Sequence, residues 1–130
     1  MVKRKKPKRT TQRNKADRLF SQMIRARDGH RCVIPGCMTA FDVPQCAHLV
    51  SRRYYAVRHD PSNAVCLCRV HHMMYTHNPV AWDLWVEGRL GVDAWRELKT
   101  RALSLEKVDY EDVIAKLEEG LRLQAELQDP

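Results

Sequence analysis

CAHLVSRRYYAVRHDPSNAVCLCRVHH, residues 46–72, is the stretch whose reading decides the fold. Short β-prone runs at Gln45 to Val50 and at Ala64 to Leu67 flank a polar segment with a turn signal at Asp60-Pro61-Ser62, which predicts two strands joined by a loop. A short helix from about Arg69 to Tyr75 is predicted to follow. Cys68 and His71 stand two residues apart at the junction of strand and helix. Upstream, CVIPGC at residues 32–37 supplies Cys32 and Cys37 around Pro35 and Gly36, two residues that help a chain turn back on itself. Zinc takes four nitrogen or sulfur ligands in a closed tetrahedron, so two such knuckles from distant parts of the chain predict a structural Zn²⁺ held by Cys32, Cys37, Cys68 and His71. Strand alternation points Cys66 and Cys68 the same way, which leaves Cys66 as an alternative ligand. Cys46, in mid-strand, reads as packing.

A staple is needed because apolar periodicity breaks down between Asp28 and Asn78. On the N-terminal side, Leu19, Phe20, Met23 and Ile24 predict an amphipathic helix over Asp17 to Arg27. On the C-terminal side, helices are predicted over Pro79 to Val86 and Val92 to Leu103, separated by Gly88 and Gly91, with Trp82, Trp85 and Trp95 as core. A last helix over Tyr110 to Gln128, with Asp109 as N-cap, carries Tyr110, Val113, Ile114, Leu117 and Leu121 on one stripe. The fold class is therefore α+β: a small zinc-stapled centre flanked by α-helices. Residues 1–15 read as a mobile basic arm, 16–104 as the main domain and 105–130 as a C-terminal amphipathic helix.

The 130 residues carry a formal net charge of +7. It is unevenly spread: residues 1–31 hold 12 Lys and Arg against 2 Asp and Glu, whereas residues 93–130 hold 6 against 10. A basic front end points to a polyanion, with nucleic acid as the expected partner. No apolar run approaches the length of a membrane span or follows the basic start as a signal peptide does, so a cytoplasmic protein with no membrane partner is expected. Five cysteines in a reducing compartment read as thiols or metal ligands rather than disulfides.

The order of His48, then Asn63 fifteen residues on, then His72 nine further on, interleaved with the ligand pairs, resembles the HNH endonuclease family. The nearest likeness is to small phage-associated members with an AH-x-x-S-R stretch and an N-A-V-x-L-C stretch before a final histidine pair, over about Arg27 to His77. The resemblance implies a ββα-metal fold and metal-dependent hydrolysis of DNA. In it, His48 matches the general base, and Asn63 the residue that ties down the loop or holds the base. His72 matches a ligand of the catalytic divalent ion, Mg²⁺, Mn²⁺, Ni²⁺ or Zn²⁺. Two positions depart from the pattern. Ala47 stands where many members carry a second ligand, leaving Asp60, His59 or His77 to supply one, and His71 stands where cysteine is usual. Arg52, Arg53 and Arg58, in the loop beside Tyr54 and Tyr55, are expected either to grip phosphates or to be solvated charge. The alternatives are a noncatalytic zinc-stabilised DNA-binding module, or an adaptor whose C-terminal helix docks onto a phage or host assembly. The same stripe can also serve a homodimer, but core packing explains it equally well.

Overall fold

Ala16, Phe20, Met23 and Ile24 fall on one face of a helix and are buried together, and this face organises one half of the molecule. In the computed structural model, which describes residues 5, 7–38 and 43–128, that helix is α1, Arg9–Arg27. It begins eight residues earlier than the apolar pattern predicts, so residues 9–15 are helical turns rather than part of a mobile arm. Composition misses this because the stabilising contacts are polar and distant: Arg9 donates to the Val108 carbonyl at 3.1 Å, and Lys15 pairs with Glu118 at 3.7 Å. Residues 1–4 and 6 of the expected arm lie outside the described residues.

Strands β1, Gln45–His48, and β2, Ala64–Leu67, form an antiparallel pair with Cys46 opposite Cys66 and His48 opposite Ala64. Side chains alternate across a strand, so Cys46, His48, Ala64 and Cys66 face one way while Ala47, Leu49, Val65 and Leu67 face the other. Both faces are covered, which is why all four residues of β2 are buried. The first face packs with α1 and with α5, Tyr110–Gln128, in a core of Phe20, Ile24, Tyr110 and Leu117. The second packs with α2, Arg69–Thr76, α3, Pro79–Leu90, and α4, Val92–Ala102, around Val57, Val86, Trp95 and Leu98. A two-strand hairpin therefore lies between two helical layers in a mostly helical α+β fold.

Two expectations shift. Helix α3 runs through Gly88, and the chain breaks only at Gly91, whose φ of 87° is open to glycine and strained for other residues. β1 ends at His48 rather than Val50. The α5 stripe serves core packing: Val113, Ile114 and Leu121 pack beside buried Tyr110 and Leu117 against α1. No helix among the described residues is long and apolar enough to cross a membrane.

Candidate metal centre and active site

Cys32 and Cys37 reach their places because the chain turns at Gly36, whose φ is 74°, with the Cys37 N–H bonded to the Ile34 carbonyl at 3.1 Å. The Val33 N–H then bonds to the Cys66 carbonyl at 2.9 Å and lays this knuckle against β2. Cys68 is the N-cap of α2, its sulfur accepting the His71 N–H at 3.4 Å. As a result the ligand atoms of Cys32, Cys37, Cys68 and His71 all lie within 4.8 Å of one another. Cys37 Sγ and Cys68 Sγ are 3.8 Å apart, and His71 Nδ1 lies 3.2 Å from Cys68 Sγ and 3.4 Å from Cys32 Sγ. Zinc–sulfur bonds of about 2.3 Å give a tetrahedron with edges of about 3.8 Å, so the donor set and its spacing fit a structural zinc. Cys66 is not part of this cluster. It sits opposite Cys46, and burial pushes the two thiols up to about 11 and about 12, as neutral packing groups.

His48 is the last residue of β1, half-buried, its ring 5.5 Å from that of Phe20. Its Nε2 lies 2.9 Å from the Arg58 carbonyl. A carbonyl only accepts, so Nε2 carries the proton and Nδ1 keeps a free lone pair. Burial, the largest influence, holds the imidazole below its ordinary value of 6.5, in the neutral form.

What fixes that carbonyl is the packing of the loop between the strands. Asn63 is fully buried; its Nδ2 donates to the Val50 and Val57 carbonyls at 3.1 and 3.0 Å, and its Oδ1 accepts from the Val50 N–H at 2.7 Å. It thus ties the two ends of the loop and acts on His48 only through it. From outside, Asp17 of α1 accepts both Arg58 Nε at 2.8 Å and Arg58 Nη2 at 2.7 Å, and His59 Nε2 at 2.7 Å. Burial works against the Asp17 charge, yet these partners hold its carboxyl below the usual value.

His72 projects from α2 with Nδ1 2.6 Å from Gln45 Oε1, an arrangement that leaves Nε2 as the free donor atom. His48 and His72 line one cleft of about 780 Å³, together with Gln45, Asp17, Arg25 and Arg52. Neither Arg25 nor Arg52 forms an ion pair among the described residues. The expected second ligand is not found among the three candidates. His59 is buried on Asp17, Asp60 caps a 3₁₀ turn and pairs with Arg101, and His77 caps α2 outside the cleft lining. Among the described residues, the Cys₃His group is the one cluster of three or more His, Cys, Asp or Glu suited to a metal.

Arg58 departs from its expected role as a phosphate grip. It is 9% exposed, its guanidinium spent on Asp17 and on the Arg52 carbonyl at 3.1 Å. Arg52 and Arg53 are exposed, and Arg52 faces the cleft. Sequence reasoning passes over Asp17, Gln45 and Arg25. The available signal was that Asp17 and Asp28 are the two carboxylates in the strongly basic first 31 residues. Both are anchors, Asp28 accepting the Cys66 N–H at 2.8 Å. In comparisons with known proteins, no family, no curated protein and no solved structure matches this chain.

Proposed function

We propose that this protein is a metal-dependent HNH endonuclease of the ββα-metal type, hydrolysing phosphodiester bonds of DNA by nicking or double-strand cleavage. The observation that carries the reading is the state of His48. Its Nε2–H is committed to the Arg58 carbonyl, its ring is neutral, and its Nδ1 is free beside a basic cleft. Such an imidazole can take a proton from water at neutral pH. The water oxygen then forms its bond to phosphorus as the bond to the leaving oxygen breaks. Asn63 and Asp17 position the base through the loop, and Arg25 and Arg52 attract the phosphates. His72 would hold the catalytic ion through Nε2, the Nδ1–H bond to Gln45 fixing the ring. Ala47 offers no donor, so the site suits an ion whose remaining ligands are water and substrate phosphate. When bound, that ion supplies Lewis-acid stabilisation of the scissile phosphate.

Ala47 also favours a second reading, a noncatalytic zinc-stabilised DNA-binding module. Incubating the purified protein with supercoiled plasmid, with and without Mg²⁺, Mn²⁺ or Ni²⁺, separates them. Ion-dependent nicking is expected of the nuclease. Binding without nicking under any ion would leave the module.

A further inference from the structure

The first turns of α1 meet the α4–α5 connection in a second concavity of about 280 Å³, remote in sequence from the histidines. Arg9, Arg13 and Lys107 line it together with Glu106, and none of the three forms an ion pair among the described residues. The two arginines are held by rings, and Arg9 also by the Val108 carbonyl at 3.1 Å, rather than by carboxylates. Arg9 lies 4.8 Å from the centre of Tyr110 and Arg13 5.8 Å from that of Tyr55. Arg13 makes one long bond, Nη1 to the Tyr55 hydroxyl at 3.5 Å, while its Nε is buried and meets no acceptor among the described residues. A buried donor without an acceptor is costly, and a guanidinium lacking a carboxylate is suited to a tetrahedral oxyanion. Tyr55 also belongs to the loop that carries Arg52 into the cleft, so one loop joins the two basic surfaces.

From this we infer that Arg9, Arg13 and Lys107 form a phosphate-binding site, which holds a backbone phosphate of DNA whose scissile bond lies in the His48 cleft. The inference rests on the nucleic-acid reading above and is read out by binding rather than cleavage. Two measurements test it on the full chain, in the absence of divalent ions other than its zinc. In the first, inorganic phosphate is titrated in while the Arg13 Nε–H resonance is followed; a saturable shift, absent in Arg13→Gln, is expected. In the second, the affinity of a short DNA duplex is measured against salt for the wild type, Arg13→Gln and Lys107→Gln. The magnitude of the log–log slope should fall by about 0.9 in Arg13→Gln for the one phosphate released. Lys107 is exposed, so its substitution leaves the fold intact and keeps the test informative if Arg13→Gln is unstable. No resonance shift and unchanged slopes would overturn the site. A phosphate-induced shift with wild-type slopes in both variants would overturn its assignment to DNA. Retained slopes have no bearing on nicking, so the nuclease reading stands or falls separately.

Discussion

Asn63 shows how much a single buried amide can hold. Composition alone makes it a turn residue after Asp60-Pro61-Ser62, and its position does end a 3₁₀ turn, Pro61–Asn63. Its side chain does something the sequence order only hinted at, closing the loop whose Arg58 carbonyl meets His48. Asn63→Ala removes three hydrogen bonds from a fully buried site and leaves Val50 and Val57 polar groups unpaired. The expected cost is about 3 kcal/mol, or a fall of roughly 10 °C in Tm, measured by thermal unfolding. A loss under 1 kcal/mol would show that water replaces the amide. His48 makes a second residue-scale prediction. Its proton affinity is lowered by burial first of all, and under the proposed mechanism the neutral form is the active one. The acid limb of the nicking rate should therefore have its midpoint below the ordinary imidazole value of about 6.5. A midpoint at or above that value, in assays from pH 5 to 8, would contradict the burial argument. Arg58 was misread for a physical reason: loop arginines are usually solvated, and nothing local in the sequence links this one to a carboxylate 41 residues away.

At the scale of elements, the knuckles and α1 carry the account. CVIPGC and CLCRVH made the Cys₃His centre legible, because ligand spacing and turn residues are local properties. The choice between Cys66 and its neighbours was not legible, since it depends on where β2 ends and α2 begins. The wild type is expected to hold one zinc at this cluster, and Cys68→Ser should lose it and unfold the hairpin, by metal analysis and circular dichroism. Structural zinc is worth on the order of 10 kcal/mol, comparable with the roughly 5 to 15 that stabilise a whole domain. A folded variant, or zinc-free wild-type protein, would refute the staple. Helix α1 was predicted as an amphipathic element but not as a support for the site. Asp17→Asn keeps the shape of the side chain and removes the charge that Arg58 and His59 share. It should cost about 2 kcal/mol in stability and lower kcat while leaving DNA affinity near wild type. Unchanged kcat would mean the loop holds the base without α1.

For the molecule as a whole, the two helical layers explain why a hairpin of two four-residue strands can hold His48 in a fixed place. An isolated pair of strands is marginal in water, whereas this one is buried on both faces. The sandwich could be anticipated only in part. The helices and the apolar stripe of α5 were readable from periodicity, but their partners were not, and α5 takes α1 as its own partner. Charge follows the same division. Basic residues of α1 and of the loop between the strands surround the His48 cleft and the Arg13 concavity, while the acidic C-terminal helix lies against α1 and pairs with it through Glu118. That layout concentrates positive potential around the two concavities, the surface that the proposal assigns to DNA. The central claim remains that His48 turns this scaffold into a catalyst. Its most direct test is the nicking rate of His48→Ala against wild type on supercoiled plasmid, at matched zinc content and saturating divalent ion. The account predicts a fall of at least about 10²-fold with folding and DNA affinity retained. Nicking at the wild-type rate would contradict it.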